Sequence, residues 1–330
     1  MLEKLVETRN RHKLVKTKEL ELVTRIEAAL LKGARDYFID NGFIEVNAPH
    51  ITRATGACEN INTLFGLDYF GKQGYLSQTQ QLYLEAMIPS LKKVWCTGPS
   101  FRAEPESDNR HLTEFSLIEI EFEGNFNELL EHIEKTVYSM IREVLKHEEL
   151  FKEMGIDVER LKKIKIPFKR ITYDEAVKKI SNQGVKWGDD LKSKHEKMLV
   201  EMYGNQPLFI THFPKEIKFF NMKENDERSD IVNSSDLILP GSGEAVGAAE
   251  REYRHEKLKE RLENSEMLRN LMKRGGSIKD FEWYLDCVRF NGIKLHSGCG
   301  IGLNRVTQFV LGTNDIRAST TFPLNSETLM

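Results

Sequence analysis

The sequence has few cysteines and no long apolar run. Only four of its 330 residues are cysteines, Cys58, Cys96, Cys287 and Cys299, and none forms the close pair that zinc or redox motifs use. We interpret them as reduced thiols of a cytoplasmic protein. No apolar run approaches the roughly 18 residues that a membrane span requires, and none follows the charged N-terminus as in a signal peptide. The composition therefore predicts neither a membrane span nor a secretory signal.

The chain also lacks an excess of charge of one sign. Lysine and arginine number 48 and aspartate and glutamate 51, which leaves a net charge of −3. Because both signs are spread along the chain, the balance argues against a protein that mainly coats a phosphate backbone. Local anion sites are compatible with it. With 40% hydrophobic residues the chain is neither disordered nor fibrous, and its length allows one large domain or two.

Apolar periodicity predicts the helices. Apolar residues recur every three to four positions over 19–41 and 126–150, which is typical of amphipathic helices. Further helices are predicted over 80–88, 250–273 and 279–290, and from about residue 302. The segment 152–204 is highly charged and weakly patterned, and we expect small helices on the outside of the molecule there.

The remaining apolar runs predict strands. They cover residues 43–46, 63–70, 75–78, 94–101, 113–122, 207–213, 217–222, 236–239 and 244–249. The polar connection between 94–101 and 113–122 is too short for a crossover helix, so we expect antiparallel neighbours. Strands paired in this way, with helices beside them, indicate an α+β fold with an antiparallel sheet.

Three polar clusters are candidates for chemistry. In the first, Arg102 and Glu104 open the connection between two predicted strands, and Arg110 and His111 close it. Guanidinium groups bind phosphate oxygens bidentately, so this loop is a candidate phosphate site. A solvated polar loop is the alternative interpretation.

The second cluster is the glycine-rich segment 298–305. Alternate glycines in a strand let a backbone or a flat ligand approach closely, and Arg305 would lie in the first turn of the next helix. A dinucleotide-binding loop is a weaker interpretation, because too few residues follow Gly302 for a complete βαβ unit.

The third cluster is acidic. Asp236 and Glu244 flank a Pro-Gly-Ser-Gly turn, and two carboxylates on adjacent strands suit Mg²⁺, although ordinary surface acids are the alternative. Glu59 and Glu119 are either buried ion-pair partners or ligands for a substrate ammonium group. We interpret Cys58 as a packing residue rather than a nucleophile. Together the clusters fit nucleotidyl transfer, which depends on positioning and charge neutralisation.

The same segments resemble the catalytic core of class II aminoacyl-tRNA synthetases, in the asparaginyl/aspartyl branch. Residues 19–49 resemble motif 1, the dimer-forming element, residues 94–122 resemble motif 2, and residues 296–305 resemble motif 3. The resemblance implies an α+β fold with a class II synthetase-type antiparallel sheet flanked by helices. It also implies an N-terminal extension at 1–19 and a catalytic domain over 20–330, with a peripheral helical insertion at about 152–204.

The resemblance assigns roles to single residues. Arg102 would hold the α-phosphate and the reacting carboxylate, and Arg305 would stack on adenine and reach the γ-phosphate, so both are expected to be catalytic. The implied ATP-binding residues are Arg102, Glu104, Arg110, His111, Phe115, Glu244, Gly300, Gly302 and Arg305. The implied Mg²⁺ ligands are Asp236 and Glu244. The implied amino-acid-binding residues are Glu59, Gln81, Glu85, Glu119, Gly247, Arg251 and Arg289.

Two differences within the branch bear on the substrate. Where aspartyl enzymes place a lysine to meet the side-chain carboxylate, this chain has Leu84, followed by Glu85 as in asparaginyl enzymes. A glutamate beside the side-chain site favours an amide or an ammonia-derived group over a second carboxylate. Both parent enzymes also carry an N-terminal barrel of roughly 100 residues that reads the anticodon. Here fewer than 20 residues precede motif 1, an outline similar to that of archaeal asparagine synthetases related to asparaginyl-tRNA synthetase.

This resemblance implies an AMP-forming aspartate–ammonia ligase. ATP would activate the side-chain carboxylate of L-aspartate as an acyl-adenylate, and ammonia would attack it to give L-asparagine. ATP and Mg²⁺ are the implied cofactors, a homodimer through the motif 1 helix is expected, and tRNA binding is not. The first alternative is a truncated asparaginyl- or aspartyl-tRNA synthetase, or a modifier that transfers the amino acid to another acceptor. The second is a non-catalytic synthetase-like regulator.

Overall fold

The computed structural model describes residues 2–54 and 61–329. Its helices are α1 Lys18–Asp40, α2 Gln81–Leu91, α3 Phe126–Val144, α4 Glu148–Glu153, α5 Glu159–Lys162, α6 Tyr173–Lys179, α7 Ser193–Met202, α8 His255–Asn264, α9 Glu266–Lys273, α10 Glu282–Phe290 and α11 Leu303–Leu311. Its strands are β1 Ile44–Glu45, β2 Ile51–Thr52, β3 Gly66–Tyr69, β4 Lys72–Leu76, β5 Lys93–Phe101, β6 Glu114–Phe122, β7 Lys169–Thr172, β8 Leu208–Thr211, β9 Ser234–Leu239, β10 Gly243–Glu250 and β11 Ser297–Gly302. Within the described residues, none of these helices has both the length and the apolar character needed to cross a membrane.

An eight-stranded sheet forms the centre of the molecule. Its strand order is β1-β5-β6-β11-β10-β9-β8-β7, and a small separate sheet has the order β2-β4-β3. The inner strands of the large sheet pair antiparallel, including β5 with β6 as predicted, whereas the end pairs β1/β5 and β7/β8 are parallel. The predicted α+β fold with a mostly antiparallel sheet is confirmed.

Helices α1 and α3 cover one face of this sheet. On β6, Ile118, Ile120 and Phe122 join the apolar core that contains both helices. Because successive strand residues point to opposite faces, Glu119 and Glu121 lie on the other face. The same strand thus contributes apolar residues to the core and acidic residues to the opposite face of the sheet.

Three local predictions were wrong. Segment 152–204 was expected to hold only outer helices, but β7 lies within it and extends the sheet beside β8. Segment 217–222 is not a strand, because its backbone amides bond locally; the Met222 amide, for example, donates to the Phe219 carbonyl over 3.2 Å. The predicted helix 250–273 is two helices. Ser265 separates them, and its hydroxyl oxygen accepts from the Leu268 amide at the start of α9 over 3.0 Å.

The residues before α1 pack onto the domain. Leu5 is buried in the main core, and Arg11 is buried and donates from Nη2 to the Arg317 carbonyl over 2.8 Å. In its described part, the predicted extension at 1–19 is therefore a packed segment of the domain surface.

Candidate active site

A cleft of about 490 Å³ lies over the face of the sheet opposite α1 and α3. It brings all three sequence clusters together. Among the predicted residues it is lined by Gln81, Arg102, Glu104, Arg110, His111, Phe115, Glu119, Asp236, Glu244, Gly247, Arg251, Gly300, Gly302 and Arg305. These residues come from α2, β6, β9, β10, β11, α11 and the β5–β6 connection, so only the folded sheet places them side by side.

Arg305 joins two loops at the basic end of the cleft. Its Nη1 donates to the Ser242 carbonyl over 2.7 Å and its Nη2 donates to the Arg110 carbonyl over 2.8 Å. Burial, together with the nearby Arg110 charge, lowers the pKa of Arg305 to about 10, which leaves the group cationic at neutral pH. Arg110 in turn lies 3.6 Å from a carboxylate oxygen of Glu196. The result is a cluster of guanidinium groups that suits phosphate groups.

The aromatic ring of Phe115 lies beside these arginines. The guanidinium carbon of Arg102 lies 4.9 Å from the centre of the Phe115 ring, within the range of a cation–π contact. Such a pair offers an aromatic face and a charged fork at the same place. This arrangement can receive a purine ring and an adjacent phosphate.

Three carboxylates lie near the basic end. Asp236 accepts from the Lys218 ammonium group at both oxygens, over 3.0 and 2.9 Å. Burial raises the pKa of Asp236 to about 7, and burial together with Glu244 raises the pKa of Glu196 to about 7. Carboxylate oxygens suit Mg²⁺, so the residues fit this ion. Glu244 is exposed to the cleft, whereas Asp236 already has a cationic partner in Lys218.

Lys218 and Glu196 line the cleft although neither was predicted as a site residue. Lys218 lies in the segment that was wrongly predicted as a strand, and Glu196 lies on α7 in the segment treated as peripheral. Neither residue carries a local motif. The only signal for Lys218 in the sequence was its positive charge within the largely apolar segment 217–222.

A buried carboxylate lies at the other end of the cleft. The Glu119 carboxylate accepts from the backbone amide of Gln80 over 2.9 Å and from the Thr79 hydroxyl. Burial raises the pKa of Glu119. Arg251 lines the same end and is paired with Glu121, a residue that was not predicted either. The alternation of Glu119 and Glu121 on β6 was an available signal, because residues two apart share a face.

Glycines on β11 make room for these acids. Gly298 is the register partner of Glu121, and a Cβ placed on it would lie 2.1 Å from the Glu121 carboxyl carbon. Gly300 is the register partner of Glu119, and a Cβ added to it would lie 3.8 Å from the nearest Glu119 atom, which is an ordinary van der Waals contact. The close approach of a carboxylate therefore requires glycine at 298, whereas the space at 300 would admit a Cβ.

Two predicted amino-acid-binding residues do not line the cleft. Glu85 is fully buried behind Gln81, whose side-chain amide donates to it over 2.6 Å. Arg289 is exposed on α10 and lies over the Phe290 ring. Arg289 lies away from the cleft because α10 buries Tyr284, Leu285 and Val288 and Arg289 follows on its outer face. Glu59 and Cys58 lie outside the described residues.

Comparison with known proteins defines the class of protein to which this fold and cleft correspond. The family described as tRNA synthetases class II (D, K and N) matches residues 3–326, and the chain belongs to this family.

Similar proteins include asparaginyl enzymes. The chain is 38% identical over 320 residues to the asparagine–tRNA ligase of Pelotomaculum thermopropionicum, covering 95% of this chain and 71% of the relative. It is 38% identical over 321 residues to the asparagine–tRNA ligase of Pyrococcus abyssi, covering 95% and 70%. The solved structure of asparaginyl-tRNA synthetase from Pyrococcus horikoshii complexed with asparaginyl-adenylate has a TM-score of 0.89 and 36% identity, covering 99% of this chain and 73% of that one.

Proposed function

We propose that this protein is an ATP-dependent ligase that activates an amino acid of the asparagine/aspartate type as an acyl-adenylate. The observation that carries the proposal is a single cleft with the arginines Arg102, Arg110 and Arg305 at one end and the buried carboxylate of Glu119 at the other. The solved structure of a relative at 36% identity, in complex with asparaginyl-adenylate, supports the same assignment.

The charges suit the transfer of a nucleotidyl group. A substrate carboxylate oxygen would attack the α-phosphorus of ATP, and the bond to the pyrophosphate leaving group would break. Arg102 would offset the charge that develops at the α-phosphate, and Arg110, His111 and Arg305 would hold the outer phosphates. Asp236 and Glu244 would hold Mg²⁺, which would supply further charge neutralisation at the leaving pyrophosphate.

We further propose that asparagine is the activated amino acid and that tRNA is the acceptor. The relatives named asparagine–tRNA ligase, each covered over about 70% of its length, support this version. It corresponds to the first alternative of the sequence analysis, and it sets aside the expectation that tRNA does not bind.

Aspartate–ammonia ligation is the second candidate. It shares the activation chemistry but uses the side-chain carboxylate of aspartate and releases AMP when ammonia attacks. Glu119 supports it, because a buried carboxylate with a raised pKa beside the amino-acid end could accept a proton from the attacking nitrogen.

We also propose that two copies of the chain pair through α1 and the neighbouring strands. Exposed apolar residues support this pairing. Ile39 at the end of α1, Ile44 on β1 and Ile51 on β2 are 62%, 49% and 45% exposed.

One set of assays separates these functions. Purified protein would be given ATP, Mg²⁺ and either asparagine or aspartate, and ATP–pyrophosphate exchange would be measured. Parallel reactions would contain ammonium or unfractionated tRNA, followed by detection of free asparagine or acid-precipitable aminoacyl-tRNA. We expect exchange with asparagine and charging of tRNA.

Each other outcome has a defined meaning. Formation of free asparagine from aspartate and ammonium, without tRNA charging, would establish the second candidate instead. Absence of exchange with either amino acid would overturn the activation proposal. Arg102→Ala is expected to abolish exchange, and near-normal exchange in that variant would refute its role.

A further inference from the structure

Asn304 is a buried residue in the first turn of α11, directly before Arg305. It is only 3% exposed, yet it borders the cleft. Its side-chain oxygen accepts from the backbone amide of Ser116 on β6 over 3.1 Å, and its side-chain nitrogen donates to Oε1 of Glu27 on α1 over 3.2 Å. A backbone amide only donates, so the orientation of the Asn304 amide is fixed by its partners. One side chain therefore connects α11, β6 and α1.

The contact with Ser116 lies at a gap in the strand pairing of β6. The register pairing of β6 with β11 ends at Leu117. Further along β6, the Thr113 amide donates to the Leu324 carbonyl of the C-terminal segment over 2.9 Å. Between these two pairings the Ser116 amide donates to the side chain of Asn304. A buried backbone amide needs such a partner, and here a side chain takes the place of a strand.

Glu27 holds Asn304 from the side of α1. The second carboxylate oxygen of Glu27 accepts from the Thr321 hydroxyl over 2.9 Å and from the Thr321 amide over 3.3 Å. The nitrogen of Asn304 makes a further, longer contact of 3.5 Å with the Ser319 carbonyl. With its oxygen on Ser116 and its nitrogen on Glu27, Asn304 acts on a ligand through the groups that it holds in place.

We infer that Asn304, held by Glu27, is a positioning residue that fixes the ring of Phe115 relative to Arg305 and so sets the affinity of the cleft for the base of ATP. Phe115 precedes the residue whose amide Asn304 holds, and Arg305 follows Asn304 in the chain. Loss of this link would move the aromatic face on which a purine stacks. Arg305 has its own two backbone partners and would keep its place among the phosphate-binding groups. The inference rests on the proposed use of ATP.

A purely structural role is the competing explanation. It would reduce the amount of active protein and would alter the KM of every substrate alike. The inferred role raises the KM for ATP, which carries a purine, and spares the KM for pyrophosphate, which has none. ATP–pyrophosphate exchange measures both constants on the same enzyme.

The first variant sets two carboxylates against each other. Asn304→Asp keeps an acceptor for the Ser116 amide but replaces the donor to Glu27 by an acceptor. We expect the KM for ATP at pH 8 to rise about tenfold or more, while the KM for pyrophosphate stays within about twofold of the wild type. Glu27→Gln disturbs the same link from α1, on the other face of the sheet, and should also raise the KM for ATP.

Combining the two substitutions should restore the link. In the double variant the new amide at position 27 donates to the new carboxylate at position 304, and its oxygen still accepts from Thr321. We expect the KM for ATP to return most of the way to the wild-type value. Asn182→Ala, at an exposed position between α6 and α7, is the control and should leave both constants unchanged.

Two results would overturn the inference. One is an equal rise in the KM values for ATP and pyrophosphate in Asn304→Asp. The other is a double variant whose KM for ATP is no lower than that of Asn304→Asp. If Asn304→Asp does not fold, Glu27→Gln decides by the same comparison of ATP with pyrophosphate.

A binding measurement does not depend on activity. Calorimetry with Mg²⁺ would compare a non-hydrolysable ATP analogue with inorganic tripolyphosphate, which lacks the nucleoside. Asn304→Asp should weaken binding of the analogue about tenfold and leave that of tripolyphosphate nearly unchanged. Equal weakening of both would overturn the inference. If the wild-type protein activated neither amino acid, the activation proposal would fail, and calorimetry would still decide the role of Asn304.

Discussion

Arg305 shows how one guanidinium group can both shape a binding site and supply its charge. Two of its nitrogens donate to backbone carbonyls of Ser242 and Arg110, which belong to different loops of the cleft. The planar fork makes two such bonds at fixed angles, whereas a lysine offers a single flexible ammonium group. The role of Arg305 therefore depends on its shape as well as on its charge.

Replacing Arg305 by lysine should weaken nucleotide binding while the positive charge is kept. Loss of the fork leaves at least one buried carbonyl without its donor and releases the loops from each other. We expect the affinity for a non-hydrolysable ATP analogue to fall roughly tenfold or more, as measured by calorimetry with Mg²⁺. Arg289→Lys, on the outer face of α10, is the control and should bind as the wild type does. Equal affinities for the two variants would refute this role of Arg305.

At the scale of elements, the contact between α1 and α3 supports the sheet beneath the cleft. The two helices approach closely at Gly33, whose carbonyl accepts from the Ser139 hydroxyl over 2.8 Å. A Cβ on Gly33 would lie 2.8 Å from the Met140 Cα and from the Ser139 carbonyl oxygen. Because these are backbone atoms, they cannot move aside without shifting α3.

Gly33→Ala should therefore destabilise the protein although alanine is the better helix former. The helical propensity gained is about 1 kcal/mol, and we expect overpacking to exceed it and to leave a net loss of about 1–3 kcal/mol in the free energy of unfolding. Ala28→Gly, at an exposed position of the same helix, measures the propensity effect alone. Urea unfolding of both variants provides the test. A stabilised Gly33→Ala variant would show that α3 moves away without cost.

At the scale of the whole molecule, apolar surface is exposed beside α1. Ile39, Ile44 and Ile51 each expose nearly half of their area or more. The exposed tip of β1 is also the edge of the main sheet, since β1 pairs only with β5 within the described residues. Surface of this kind suits association with a second copy.

Ile44→Glu should convert a dimer into monomers. A charge at the centre of an apolar interface must be desolvated without a partner, which costs several kcal/mol. Light scattering should give about twice the 38.2 kDa chain mass for the wild type and a single chain mass for the variant. Met202→Glu on α7, also an exposed apolar position, should keep the wild-type mass. A monomeric wild type would refute the proposed pairing.

Local sequence determined most elements and the composition of the cleft. Periodicity placed α1, α2 and α3, and the short polar connection placed β5 against β6. The clusters around Arg102, Asp236 and Gly300 were recognisable because turns, glycines and paired charges are local features. The break between α8 and α9 was missed, since a single capping serine competes with a continuous apolar pattern.

Only the tertiary structure decided which charges meet. Glu121 and Arg251 are far apart in the chain, and so are Glu85 and His296; sheet register and helix packing bring each pair together. The same packing buried Glu85, exposed Arg289 and paired Lys218 with Asp236. The sequence by itself therefore determined the kinds of groups in the site. Their charges and partners depended on burial and on long-range pairing, because a buried ion is stable only where the fold supplies an opposite charge or a hydrogen bond.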